Sequence, residues 1–218
     1  MILRSYLSSS LGKKQLIALT GLVLILAFLI PHLIGNLFLL AGPSAFNGYV
    51  EHLHSFGLLL RFLETGFVLL FVVHITLSLM VVIQNRRARG TSYHRALIPG
   101  NRSFAARSMP YTGVVLLVFL FVHLHDFTFA SHLPPASLWN GVDLGLYGVV
   151  RNTLANPIRL IGYGFVIIIL GIHLSHAIQS VFQTFGLRRW VREMTILSYA
   201  TGALISLGFL SILVVVCL

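Results

Sequence analysis

Five stretches of the chain are almost continuously apolar, at about 15–41, 58–83, 109–130, 157–182 and 194–217. Each is long enough to cross the hydrocarbon core of a bilayer as an α-helix, which takes about 20 residues. Numbered I to V, these spans and their connections use nearly all of the 218 residues. The pattern therefore predicts an all-α integral membrane protein, one domain over residues 1–218, with no separate soluble domain. Span I follows a basic, serine-rich start (Arg4, Ser8, Ser9, Ser10, Lys13, Lys14) of signal-peptide character. Its apolar run is too long and no small-residue cleavage site follows, so it reads as a retained span. Two connections, 42–57 and 131–156, are too long for tight turns and read as loops that either cap a pocket or cover the surface.

Composition agrees: 57% of residues are hydrophobic and 9% charged, against roughly 25% charged in soluble domains. The net charge of +10 raises the question of a nucleic-acid partner. Its distribution answers it. Of the 15 basic residues, twelve lie in three places: the N-terminus, the II–III connection (Arg86, Arg87, Arg89, Arg95, Arg102, Arg107) and the IV–V connection (Arg188, Arg189, Arg192). Only Arg61, Arg151 and Arg159 lie elsewhere. With five spans, the three basic segments fall on one side, and the positive-inside rule predicts a multi-pass protein of the cell inner (cytoplasmic) membrane, N-terminus cytoplasmic and C-terminus external. The charge is topological, a partner of membrane lipid and not of nucleic acid. The single cysteine, Cys217, excludes an internal disulfide, an iron–sulfur cluster and covalently attached c-type haem.

Ten histidines in so apolar a chain need a reason, and four of them, His32, His74, His123 and His173, lie well inside spans I to IV. One such residue is a satisfied imidazole about as often as a functional one. Depth makes the set informative. Spans I and III run outward, and His32 and His123 stand about 15 Å before their outer ends. Spans II and IV run inward, and His74 and His173 stand about 25 Å beyond theirs. Two levels result, His32 with His123 in the outer half and His74 with His173 in the inner half. A pair of imidazoles from two helices is what six-coordinate haem iron needs, so the first four helices are predicted to bundle around two stacked haems b. Zinc wants three or four ligands at one level. Depth does not choose between His123 and His125, or between His173 and His176. His52, His54, His94 and His132 fall in predicted loops.

Glycines add a second sign. Gly21 precedes His32, and Gly162 precedes His173, by eleven residues, which on a regular helix is close to three whole turns. Each would leave a bare patch for a haem at the level opposite its own helix's ligand, or else allow close helix packing.

At this point the sequence resembles the di-haem cytochrome b membrane subunit of the succinate dehydrogenase/fumarate reductase family. The resemblance runs from Ser8-Ser9-Ser10-Leu11-Gly12-Lys13-Lys14 and Ala18-Leu19-Thr20-Gly21 through His32-Leu33-Ile34-Gly35-Asn36 and Val122-His123-Leu124-His125-Asp126-Phe127. It ends with His173 and Phe182-Gln183-Thr184-Phe185-Gly186. It implies five helices, two haems b and one axial histidine on each of the first four helices, and it selects His123 and His173 over their neighbours. It also implies electron transfer between an iron–sulfur subunit and a membrane quinone, menaquinone or ubiquinone. FAD and the iron–sulfur clusters then belong to a flavoprotein subunit and an iron–sulfur subunit, docked on the basic loops, and the family often forms dimers of heterotrimers. Some fumarate-reducing relatives carry a proton-moving glutamate where this chain has Gly171.

Asn36 and Ser78, each four residues after a ligand, are candidates to orient ligands or meet propionates. Glu51, beside His52 and His54, is the candidate for proton exchange with quinone at an outer site near His32 and His123. The alternatives are a di-haem cytochrome b of another membrane oxidoreductase and a non-redox transporter. A transporter would show acidic groups near the midplane, and the carboxylate read within the spans is Glu64, near an outer end.

Overall fold

Ser9 caps the first helix, its side chain accepting a 2.9 Å bond from the Gly12 N–H. The computed structural model describes residues 9–87 and 104–217. Arg4, Ser8, Arg89, His94, Arg95 and Arg102 lie outside the described residues. From this cap, α1 (Ser10–Val23) runs into a π-helical segment, Leu24–Leu29, then α2 (Ile30–Leu37) and a 3₁₀ turn, Phe38–Ala41. In the π segment the Ile30 N–H reaches Ile25 O, five residues back, which takes up one more residue than an α-turn. Pro31 follows. A proline offers no N–H to the carbonyl four residues back and crowds it, and the wider turn makes room.

Gly42, at φ 95°, turns the chain, and Pro43 at the first turn starts α3 (Pro43–Ser55). α4 (Leu58–Arg87) is the second long helix and α5 (Phe104–His123) the third, closed by a second π-helical segment, Leu124–Thr128. A short hairpin, β1 (Leu138–Trp139) with β2 (Val142–Asp143), pairs Leu138 with Asp143 and Trp139 with Val142. α6 (Gly145–Ala155) leads into α7 (Pro157–Thr184), and α8 (Val191–Cys217) closes the chain. Five helical stretches are long and apolar enough to cross a membrane: Ser10–Ala41, Leu58–Arg87, Arg107–Thr128, Pro157–Thr184 and Val191–Val216. They match the five expected spans to within a few residues.

Both long connections were expected to be loops, and both are largely ordered. In the first, α3 carries His52 and His54, which are therefore helical and not loop residues. Buried Phe46 and half-buried Tyr49, the latter packed onto Gly35, hold α3 against the first helix. In the second, Tyr147, Val150 and Leu154 make a buried stripe along α6. Asn47 ties the two together, accepting from Tyr147 N and donating to Leu144 O. This end of the bundle, with α3, the hairpin and α6, corresponds to the side termed outer in the sequence.

Close packing between α7 and α8 depends on small residues. A Cβ at Gly171 would run into the Ser206 hydroxyl, and one at Gly202 into the carbonyl of Gly171 and the hydroxyl of Ser175. The Ser206 and Ser175 hydroxyls donate to Ile167 O and Gly171 O at 2.9 and 2.7 Å. Gly171 thus has a packing role, and a longer side chain there meets α8.

The first helix packs against α4, α7 and α8, and α5 packs against α7. Helices I and III, and likewise II and IV, therefore stand at opposite corners of the four-helix arrangement. None of the thirty residues of α4 is buried.

Candidate functional site

The outer pair meets across the bundle. The rings of His32 on α2 and His123 at the end of α5 have centroids 5.7 Å apart and planes at 86°. Aromatic rings fix both: Phe28 stacks on His32 at 5.4 Å, and Phe119 and Phe127 lie 5.6 and 5.2 Å from His123. A metal–imidazole bond of about 2.0–2.1 Å puts two ligating nitrogens about 4 Å apart and their ring centroids roughly 6 Å apart. The outer rings already stand at that separation. Nδ1 of His123 is buried without a hydrogen-bond partner, which leaves it open to a group the chain does not supply.

At the inner level, a threonine hydroxyl from an adjacent helix meets one nitrogen of each ring. His74 Nδ1 lies 3.0 Å from the Thr20 hydroxyl, and His173 Nδ1 lies 2.9 Å from the Thr112 hydroxyl. Each hydroxyl has one proton. Thr20 donates its own to Leu16 O or Ile17 O at 2.8 and 3.1 Å, and Thr112 to Met109 O at 3.1 Å. In the arrangement where the hydroxyl protons go to these carbonyls, the threonines accept from the histidines, Nδ1 carries the ring proton and the Nε2 lone pair is left for a metal. Glycines line the same level: a Cβ on Gly21 would sit 3.2 Å from His74 Cε1, and one on Gly113 3.7 Å from His173 Cε1.

The neighbouring histidines part company with these pairs. His125 is in the π-helical turn, 78% exposed, with Nδ1 3.3 Å from Asp126 Oδ1. His176 is buried between α7 and α8, its ring 6.5 Å from Tyr199. His132 lies in the irregular segment after the turn and donates to Phe127 O at 2.7 Å.

Other expected residues are spread out. Asn36 lies beside His32, donating to its carbonyl at 2.8 Å and lying 3.4 Å from its Nε2. Ser78 is half-buried one turn after His74. Gly162 is exposed with open space beside it, and Glu51 is exposed on α3. The eleven-residue spacing from Gly21 to His32 spans the π segment, so the regular-helix phase does not apply there, whereas Gly162 and His173 share the uninterrupted α7.

Glu64 is not the one carboxylate within the spans. Asp126 lies inside Arg107–Thr128, its side chain 5% exposed, 3.1 Å from Arg159 Nη2 and accepting a 3.1 Å bond from the Tyr163 hydroxyl. The sequence reading also missed Thr20, Thr112 and Gly113. For the threonines the available signal was a hydroxyl at the inner histidine level on an adjacent helix.

The donor set fits bis-imidazole haem iron better than a multi-ligand metal, since no group of three or more His, Cys, Asp or Glu comes together among the described residues. No family model, curated protein or solved structure matches this chain.

Proposed function

We propose that the chain is the membrane-anchoring di-haem cytochrome b subunit of a succinate dehydrogenase/fumarate reductase complex, passing electrons between an iron–sulfur subunit and membrane quinone. The observation that carries the reading is the outer imidazole pair, which joins opposite helices at 5.7 Å between ring centroids; His74 and His173, each with a threonine hydroxyl at Nδ1, supply the second pair of the reading. Haem iron with two fixed imidazoles changes oxidation state without changing ligands and so carries single electrons. His32 and His123 would hold the outer haem, and His74 and His173 the inner one. Thr20 and Thr112 set the inner tautomers, and the phenylalanines around His32 and His123 keep water from the outer pair.

Five long apolar helices support insertion in a membrane, and the charge pattern supports the cytoplasmic membrane with a cytoplasmic N-terminus and an external C-terminus. The basic inner segments then form the docking face for the iron–sulfur subunit and, through it, the flavoprotein, which hold the clusters and the FAD. The test is colour. Purified protein is expected to give a reduced-minus-oxidised haem b spectrum with about two haems per chain by pyridine haemochrome, and to co-purify with a flavoprotein that oxidises succinate. A folded, colourless preparation overturns the redox reading. Haem without the flavoprotein leaves a cytochrome b of another oxidoreductase.

A further inference from the structure

Every ion pair among the described residues falls on one carboxylate. Asp126, three residues after His123 in the π-helical close of α5, has its Oδ1 3.1 Å from Arg159 Nη2 and 3.3 Å from His125 Nδ1, and its Oδ2 accepts from the Tyr163 hydroxyl at 3.1 Å. Tyr163 in turn lays its ring 6.2 Å from that of His123 and 4.9 Å from that of Phe119. The carboxylate and the outer histidine thus share one wall. At the inner level the partners of His74 and His173 are the neutral hydroxyls of Thr20 and Thr112.

A carboxylate and a guanidinium together are neutral, so depth and solvent decide whose field reaches the outer histidines. α7 runs inward from Pro157, which puts Arg159 one turn nearer the outer end than Tyr163. Both charges line a cavity of about 520 Å³ at that end. Arg159 is 38% exposed there and Asp126 5%, so solvent screens the cation far more than the anion. His125, 78% exposed, is screened more strongly still. At His123 the carboxylate wins.

We infer that Asp126 sets the electron affinity of the outer centre, its negative charge favouring the oxidised metal between His32 and His123. The inference rests on the redox reading above. One electron added to haem iron with two neutral imidazoles takes the centre from a charge of about +1 to zero, so an adjacent anion opposes the electron. Arg159 and the Tyr163 hydroxyl offset part of that field, and they hold the carboxylate where it acts.

The test is a potentiometric titration of the full chain, purified with its haem and followed by the haem b absorbance. The outer component is the one missing from His123→Ala. Asp126→Asn keeps an oxygen for Arg159 and Tyr163 and is expected to shift the Fe(III)/Fe(II) ratio of that component about tenfold toward Fe(II), a rise of about 59 mV for a one-electron couple. Asp126→Glu, which restores the charge, is expected to return the potential toward the parent's. Tyr163→Phe keeps the ring on His123 but removes a donor from the carboxylate, and is expected to give a smaller shift in the opposite direction. The inner component should not move. A carboxylate with a merely structural role would lower Tm and leave the outer potential alone, and that result overturns the inference, as do equal shifts from Asp126→Asn and Asp126→Glu. If Asp126→Asn misfolds, Tyr163→Phe decides: an unchanged or raised outer potential overturns the inference. A folded parent without haem overturns the redox reading and this inference with it.

Discussion

Thr112 on α5 holds the imidazole of His173 on α7, hydroxyl to Nδ1 at 2.9 Å. Valine at 112 nearly keeps the shape and removes the acceptor. Partners of this kind typically tune metal affinity 10–100-fold, so Thr112→Val is expected to weaken inner haem retention by about that range. Thr20→Val should act alike on His74, and the double variant should fall from two haems toward one by pyridine haemochrome. Unchanged stoichiometry and spectrum in the double variant would remove the threonines from the centre.

Ligand losses should follow pairs across the bundle and not neighbours along the chain. His32→Ala and His123→Ala are each expected to remove one haem with the same spectral signature, and His74→Ala and His173→Ala the other. His125→Ala and His176→Ala should keep both, because His125 is exposed beside Asp126 and His176 packs on α8. Loss of a haem from either of these last two variants would reassign that ligand.

Gly202→Val tests what attaches α8. A side chain there meets the Gly171 carbonyl, backbone that does not rotate away, so a loss of about 1–3 kcal/mol or more is expected from overpacking. Thermal unfolding in detergent should register it as a lowered Tm. Gly66→Ala, with nothing within 4 Å of the added carbon, is the matched control.

The spans and the meeting of His32 with His123 were legible because both follow from hydropathy and rise per residue, which need no tertiary information. α3 and α6 were not. Their apolar faces are short, Phe46 with Tyr49 and Tyr147 with Val150 and Leu154, and glycines and asparagines interrupt them. Thr20 and Thr112 stayed hidden because an intraspan threonine usually bonds its own helix, as both do. Only the fold brings a second helix's imidazole to the same oxygen. Asp126 was overlooked through its place at the end of a span, where acids are usually solvated, although Arg159 and Tyr163 stand close by on α7.

Orientation can be read from a single thiol. In a Cys217→Ser background, Ser131→Cys should react with a membrane-impermeant maleimide in intact cells, and Leu187→Cys only after lysis. The reverse result would invert the topology and put the Asp126 cavity on the cytoplasmic side.

The π-helical segment Leu24–Leu29 stands between Thr20 and His32, the residues through which the first helix touches both histidine levels. Its additional residue is absorbed in the wide turn, so the helix on either side keeps its phase. Loss of one codon there would leave the span's length and hydropathy almost untouched and close the wide turn to an ordinary α-turn with the two levels still in phase, whereas loss of a second would swing them about 100° apart. The first helix can therefore give up one residue between its two levels, and no more, before one half of the bundle turns away from the other.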